Sequence, residues 1–160
     1  MKIVKAVRPP TGLSRRLYRL PLYLYRWHLG WVFGHRILVV NHIGRVTGKP
    51  RQAVLEVVTH DTRDGAHTVA SGWGPTAAWY RNLQKTPEVT IQVGRQIIPV
   101  RAVPLLPDEG ADLFAHYAIQ HRWAAKYLLS RLMGYSVDGS EADFRAVGQR
   151  IPFVRFEPRV

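Results

Sequence analysis

A cationic turn lies between two strand-like runs of the chain, and its residue types are those that bind an anion. Glycines let backbone N–H groups converge on a phosphate, and Lys or Arg side chains complete its neutralisation. The alternative is a solvated basic hairpin turn without a ligand, and the turn alone leaves that open. The candidate binding residues of this turn are Arg45, Thr47, Gly48, Lys49, Pro50 and Arg51.

A second cluster of small and aromatic residues follows further along the chain, at Ser71-Gly72-Trp73-Gly74-Pro75. It leads into a short helical stretch that contains Trp79 and Asn82. Trp73 either stacks on a planar ring or anchors its loop on the core. Trp79 is mostly a core residue by its helical spacing, and Asn82 is placed to hold a loop by hydrogen bonds. Together the two clusters suggest a sheet-based pocket for a long, phosphorylated, aromatic cofactor.

The elements that must position these clusters are β-branched runs separated by turns and by helical stretches. Asp64-Gly65 and Gly94-Arg95 are hairpin signals between neighbouring strands. We therefore expect an α+β fold with a mainly antiparallel sheet, in which six strands form a closed or nearly closed barrel. Strands are predicted over 36–43, 52–60, 66–71, 88–93, 96–103 and 152–157, and helices over 13–33, 76–85 (with Thr76 as N-cap), 107–133 and from Ser140 onward, after an irregular tail over 1–12.

The composition removes several classes of chemistry. The chain has 160 residues and no cysteine, which excludes disulfides, thiolate zinc sites and cysteine nucleophiles. The histidines show no metal-binding spacing, so no metal site is predicted. The length fits a single domain with a real core. No export signal is recognised, and we expect a cytoplasmic protein.

The positive charge is concentrated in the first third of the sequence. Residues 1–55 carry eleven Lys or Arg and no acidic residue, hence +11, which leaves +1 of the total +12 for the rest. Such a field favours an anionic lipid surface, a nucleic acid or a phosphorylated ligand.

Four arginines interrupt the apolar, aromatic segment over 13–33, so we do not expect a membrane span. They lie off the narrow apolar stripe that leucines and tryptophans of this segment would form on a helix. Basic faces with Trp and Tyr are typical of helices that lie on an anionic membrane surface. The alternative is that this segment, broken at Pro21 into two short helices, packs its stripe on the sheet. We expect two regions, a basic amphipathic segment over 1–35 and a barrel domain over 36–160, with peripheral association at the inner face of the cell membrane as one possibility.

The ordered set of motifs closely resembles the deazaflavin-dependent nitroreductase family. The resemblance rests on Gly44–Arg51, on Val69-Ala70-Ser71 and on Trp79–Leu83 before Pro87-Glu88-Val89. It runs from about residue 38 to residue 103 and returns weakly over 151–158. It implies a split β-barrel like that of FMN-binding oxidases, and coenzyme F-420 as cofactor, with FMN as the alternative.

The resemblance also implies roles for residues of both clusters. Arg51 matches the most constant basic position of the family, and Arg45 and Lys49 would help it to neutralise the cofactor phosphate. Donation to that phosphate is expected from the Thr47 hydroxyl and the Gly48 N–H. Ser71 would lie near the deazaflavin ring. The remaining candidate binding residues are Pro50, Gly72 (where many relatives have Lys), Trp73, Gly74, Trp79 and Asn82.

The implied reaction is hydride transfer between reduced F-420 and a hydrophobic acceptor such as a quinone, an enone, an unsaturated lipid or a nitroaromatic compound. Ser71, Tyr127 and Tyr135 are the candidate catalytic residues, as proton donors to the product. One alternative is a split-barrel protein that binds F-420 or FMN without turnover. A remote alternative is a nucleic-acid-binding module that uses the basic first third, although no recognised nucleic-acid motif is present.

Overall fold

A computed structural model describes residues 2–3, 36–71, 74–121, 135–136 and 140–159. The described residues fall into two compact units. One contains residues 36–70, 76–103 and 154–159. The other contains residues 2–3, 71, 74–75, 104–121, 135–136 and 140–153.

The described strands are β1 (Lys2–Ile3), β2 (Ile37–Ile43), β3 (Pro50–His60), β4 (His67–Ala70), β5 (Glu88–Val93), β6 (Gln96–Pro104), β7 (Tyr135–Ser136) and β8 (Phe153–Pro158). Six of them form a closed barrel in the order β2-β3-β4-β8-β6-β5. The strand β2 pairs antiparallel with β3 on one side and with β5 on the other, which closes the barrel. The predicted six-stranded barrel is therefore confirmed.

The barrel core follows from the two-residue period of its strands. In β5 the side chains of Val89, Ile91 and Val93 are buried and alternate with more exposed residues. In β2 three consecutive residues, Leu38, Val39 and Val40, are fully buried, so both faces of this strand are covered. The helix α1 (Ala78–Lys85) packs against β2. This contact fixes the helix beside the end of β2 where the chain turns into β3.

The described part of the second unit contains two helices, α2 (Pro107–Gln120) and α3 (Glu141–Arg150), which pack closely on each other. Gly148 allows this approach, because a Cβ there would lie 2.8 Å from the Gly110 carbonyl oxygen and 2.8 Å from the Ala111 Cα. An ion pair between Arg145 and Asp112 joins the helices at the surface. The aromatic core beneath them consists of Phe114, Phe144 and Phe153.

Three boundaries differ from the sequence-based expectation. The helix predicted to reach residue 133 ends at Gln120, because His121 leaves helical geometry at φ −130°. Thr76 does not cap α1: it lies in a short 3₁₀ turn over Gly74–Thr76, and Ala77 takes the N-cap position without a side-chain bond. Residues 2–3, predicted to be irregular, pair as β1 with β7 in a separate two-stranded sheet. Such long-range pairing leaves no local signal in the sequence.

Other predictions for the ends of elements are confirmed. Ser140 caps α3 by accepting a hydrogen bond from the Asp143 backbone N–H at 3.2 Å. The predicted turn at Asp64-Gly65 is present, with the Gly65 N–H donating to the Asp61 carbonyl at 2.8 Å. Arg155 of β8 forms ion pairs with both Asp61 and Asp64, which ties this hairpin to the neighbouring strand. The predicted helical segment over 13–33 lies outside the described residues.

Candidate functional site

The cationic turn connects β2 to β3 and is closed by its own backbone. The Gly44 N–H donates to the Lys49 carbonyl and the Gly48 N–H donates to the Gly44 carbonyl, both at 2.9 Å. Gly48 has φ +69°, a conformation that glycine adopts without steric cost. The Gly48 N–H, expected to donate to a phosphate, is thus used inside the turn. Thr47 stabilises the same turn by accepting from the Lys49 N–H at 3.3 Å.

Gly44 is buried, and its lack of a side chain allows two functional groups to meet above it. A Cβ at this position would lie 2.7 Å from the Thr47 Oγ1 and 3.1 Å from the Arg51 Nε. The Arg51 side chain therefore folds over the turn rather than extending from the strand. This places its guanidinium next to the Thr47 hydroxyl.

The helix α1 holds the turn through Asn82, which is only 1% exposed. The Asn82 Oδ1 accepts from the Arg45 backbone N–H at 3.1 Å and from the Arg45 Nη1 at 3.0 Å. One helical turn further along, the Lys85 Nζ donates to the Arg45 carbonyl at 2.9 Å. Residues three apart share one helix face, so α1 contacts Arg45 from a single side.

A buried histidine lies beneath this contact. His42 is 4% exposed, faces Arg51 across the β2–β3 ladder, and has its Nδ1 at 2.9 Å from the Asn82 Nδ2. Burial and, to a smaller extent, the positive charge of Arg51 lower the pKa of His42 from 6.5 to about 4. The imidazole is therefore neutral near pH 7.

These residues surround a cleft of ≈ 220 Å³ at the side of the turn. Among the described residues that line it, two are arginines and none is acidic, so the cleft is positively charged. Arginine and backbone donors are suited to phosphate and carboxylate groups. The lining residues are Gly44, Arg45, Val46, Thr47, Arg51, Ala78 and Asn82.

Four of the candidate binding residues named from the sequence therefore meet at one cleft, namely Arg45, Thr47, Arg51 and Asn82. Gly48, Lys49 and Pro50 belong to the same turn or its edge and are exposed. Trp79 is 7% exposed on α1 and contacts the ring of Tyr80 edge-on, which makes it a core residue.

Ser71 and Gly74 belong to the other compact unit. The Ser71 hydroxyl donates to the Gly74 carbonyl at 2.6 Å, and the Ser71 N–H donates to the Pro152 carbonyl at 2.8 Å. Ser71 is 1% exposed, so this hydroxyl is engaged in holding the loop. Gly72, Trp73 and Tyr127 lie outside the described residues, as does the Tyr135 side chain.

Five residues of this site are missing from the candidates named from the sequence: His42, Gly44, Val46, Ala78 and Lys85. A signal for His42 was available, because it continues the alternation of Leu38 and Val40 and so points to the same face of β2. Lys85 follows Asn82 by three residues, which places both on one face of a helix. Val46 and Ala78 are exposed residues at the rim of the cleft, and their apolar side chains give no indication of a binding role.

The described residues contain neither a candidate metal site nor a helix that could span a membrane. No group of three or more potential ligand side chains converges there in a way that could hold a metal ion. None of the helices in these ranges combines the length and hydrophobicity that a bilayer crossing requires.

The closed six-stranded antiparallel barrel is the split-barrel fold expected from the sequence, and solved structures share it. The chain belongs to the F-420H(2)-dependent quinone reductase family, whose model matches residues 28–129. This match confirms the resemblance to deazaflavin-dependent reductases found in the sequence.

A relative of this chain carries the same family description. A Mycobacterium tuberculosis protein assigned as an F-420H(2)-dependent quinone reductase is 39% identical over 79 residues, which are 48% of this chain. The alignment spans 65% of that relative's length, slightly under two thirds.

Solved structures share the fold at low sequence identity. An F-420-H2 dependent reductase, FDR-A, aligns with a TM-score of 0.52 and 20% identity over 78% of this chain and 96% of its own. A Clostridium acetobutylicum protein related to general stress protein 26 aligns with a TM-score of 0.51 and 10% identity, over 86% of this chain and 84% of its own.

Proposed function

We propose that this protein is an F-420-dependent reductase that transfers a hydride between reduced F-420 and a hydrophobic acceptor. A quinone is the first candidate acceptor, because the family is named for quinone reduction. Enones, unsaturated lipids and nitroaromatic compounds are further candidates of the same electrophilic character. The observation that carries the proposal is the positively charged cleft beside the β2–β3 turn of a split barrel.

The residues of the cleft fit the anionic part of a deazaflavin. Its phosphodiester and oligoglutamate tail are negative, and Arg45 and Arg51 line the cleft. The absent side chain at Gly44 provides room for the Arg51 guanidinium beside Thr47. Arg45, Thr47 and Arg51 would therefore hold the tail, and Lys49 at the exposed end of the turn would add to the attraction.

The bound cofactor would supply the hydride chemistry. The protein's own part is to hold, orient and shield the reacting groups. Because Asn82 and Lys85 fix Arg45 in the free protein, the cleft is organised before its ligand arrives. This lowers the ordering cost of binding.

The proton that accompanies hydride transfer needs a donor, and Ser71, Tyr127 and Tyr135 remain our candidates. The Ser71 hydroxyl is directed to the Gly74 carbonyl, so it would have to exchange that hydrogen bond to act. Tyr127 and Tyr135 are proposed from the sequence alone. Separate Ser71→Ala, Tyr127→Phe and Tyr135→Phe variants would identify the donor by loss of kcat at unchanged cofactor affinity.

Binding titrations with coenzyme F-420, FMN and single-stranded DNA, each over a salt series, test the ligand class. We expect the deazaflavin to bind most tightly. Anaerobic oxidation of reduced F-420 by menadione then tests for turnover. Tight binding without oxidation by any quinone or enone would indicate a non-catalytic binder instead, and preference for DNA would contradict the proposal outright.

We also propose that residues 13–33 contact an anionic membrane surface, which would bring the barrel close to a membrane-dissolved acceptor. The support is the run of aromatic residues and arginines in this segment. Flotation with vesicles of phosphatidylglycerol and phosphatidylcholine, with and without residues 1–33, tests this contact. Equal flotation of both forms would contradict it.

A further inference from the structure

We propose that His42 is a positioning residue for the cleft: acting through Asn82, it fixes the orientation of Arg45. Its importance for ligand binding rests on the function proposed above, whereas its effect on Arg45 is a property of the free protein. The three residues form one chain of hydrogen bonds, from a buried strand through the buried face of α1 to the cleft.

The donor groups of Arg45 and Asn82 determine the direction of each hydrogen bond that joins His42, Asn82 and Arg45. The two groups of Arg45 that contact Asn82 are both donors, because its backbone N–H and its Nη1 reach the same oxygen of Asn82. The Asn82 Nδ2 must therefore be the group that faces His42. Because that amide nitrogen is also a donor, the His42 Nδ1 has to accept, and the imidazole proton resides on Nε2.

Burial makes this series of hydrogen bonds rigid. Asn82 is 1% exposed and His42 is 4% exposed, so water cannot readily replace either partner. A buried amide that lost its acceptor would carry an unsatisfied donor, which favours the single observed orientation. The lowered pKa of His42, which keeps Nδ1 unprotonated near pH 7, is consistent with this arrangement.

Arg45 is consequently held at three points before any ligand binds. Asn82 accepts from its backbone N–H and from its guanidinium, while Lys85 donates to its carbonyl. Without the acceptor on His42, the Asn82 Nδ2 would be a buried donor without its partner, and only the bonds to Arg45 would still orient the Asn82 amide. The predicted consequence is a loosened turn at Arg45.

The experiment uses the full-length chain and two substitutions at one position. His42→Leu removes the acceptor at similar volume, and His42→Asn replaces Nδ1 by an amide oxygen that can accept from Asn82. The matched control is Asn41→Leu, which removes the neighbouring polar side chain of β2 and its hydrogen bonds to Gln52 and Thr90. Hydrogen exchange at the Arg45 amide is the readout.

We expect His42→Leu to accelerate exchange of the Arg45 amide by about three- to tenfold, the effect of one lost hydrogen bond. The Asp61 amide in the distant hairpin, which donates to the Ala66 carbonyl, serves as the internal reference. His42→Asn should stay within about twofold of the wild type, and so should Asn41→Leu. Unchanged exchange in His42→Leu would overturn the proposal, as would equal acceleration by the control.

A measurement on the unmodified protein covers the case in which His42→Leu does not fold. Nitrogen-15 NMR of the imidazole distinguishes an unprotonated Nδ1 from a protonated one. We expect His42 to be neutral with its proton on Nε2. A proton on Nδ1 would overturn the hydrogen-bond chain.

Binding of coenzyme F-420 then separates this inference from the proposed function. His42→Leu should raise Kd about three- to tenfold, and by less than about twofold in an Arg45→Ala background, because the effect passes through Arg45. Equal effects in both backgrounds would contradict positioning through Arg45. If the wild type does not bind F-420, the proposed function fails, while the exchange and NMR results still decide the role of His42.

Discussion

His42 and Arg51 face each other across β2 and β3, so a buried imidazole lies beside a guanidinium of the cleft. Desolvation and this neighbouring charge both favour the neutral imidazole and lower the pKa of His42 to about 4. The strand pairing therefore links Arg51, a proposed binding cation of the cleft, to the hydrogen bonds that hold Arg45.

This relationship predicts that the protein loses stability in mildly acidic solution. The pKa of His42 is 6.5 in the unfolded chain and about 4 in the folded protein. Between these values the unfolded chain binds a proton that the folded protein does not, so the free energy of unfolding falls as pH is lowered from 6.5 to about 4. We expect a loss of about 3 kcal/mol across this window, measured by urea unfolding at several pH values.

The His42→Leu variant is the control, because it removes the titrating group and should flatten the pH dependence in this window. Asp61 does not account for a loss of stability between pH 6.5 and about 4. Its hydrogen bonds to Arg63 lower its pKa from 3.8 to about 2, so its contribution is lost only below the window. Identical pH profiles for wild type and His42→Leu would show that another group causes the acid response.

Arg51→Ala is expected to weaken binding of coenzyme F-420 by roughly 1–3 kcal/mol, the scale of a charge-assisted contact. The reason is that Arg51 lines the cleft, with its Nε close to Gly44. Arg101→Ala is the matched control, because it removes the same charge from an exposed ion pair with Glu88. Fluorescence titration measures both. If Arg51→Ala binds like the wild type, the anion lies elsewhere.

Gly48→Ala is expected to destabilise the protein by about 1–2 kcal/mol, because residue 48 has φ +69° and a Cβ is disfavoured there. Among the described residues other than Gly48 and its two chain neighbours, no atom lies within 4 Å of the Cβ position, so the cost is due to the backbone rather than to a clash. Gly48→Asn should cost less, since asparagine tolerates this conformation. Chemical unfolding compares the three proteins, and an alanine variant as stable as the wild type would refute this account of the turn.

Gly148→Ala is expected to reduce stability by about 1–3 kcal/mol, because the added methyl group would overlap backbone atoms of α2. Those atoms, unlike the end of a flexible side chain, cannot move aside without separating the helices. Gln149→Ala, at the exposed neighbouring position, removes only a long surface hydrogen bond to Asp108 (3.4 Å) and should change stability by less than about 0.5 kcal/mol. Thermal unfolding of both variants tests this contact. Equal changes would mean that α3 adjusts without cost.

The barrel could be predicted from the sequence because its signals are local. Alternating β-branched residues and the turns at Asp64-Gly65 and Gly94-Arg95 indicate antiparallel strands wherever they occur. The pairing of residues 2–3 with 135–136 could not be predicted, since it joins distant segments of two residues each. The end of α2 at Gln120 has no glycine or proline to mark it.

That Arg45, Thr47 and Arg51 belong to one candidate site was predictable, because glycines and cations clustered at a hairpin turn indicate an anion site by their residue types alone. The role of His42 was not, because a histidine in a strand is usually interpreted as an isolated polar residue. Its meaning depends on Asn82, which is forty residues away in sequence and meets it only through the packing of α1 on β2. Contacts of this kind are defined by tertiary structure.

Val46 stands at the rim of the cleft with 87% of its surface exposed, and the chain contains no cysteine. A Val46→Cys substitution would therefore create a unique thiol at the rim of the cleft at little structural cost. An environment-sensitive fluorophore attached there would report ligand entry optically. The exposed position of Val46 in the turn thus makes the protein suitable for the construction of a fluorescent deazaflavin sensor.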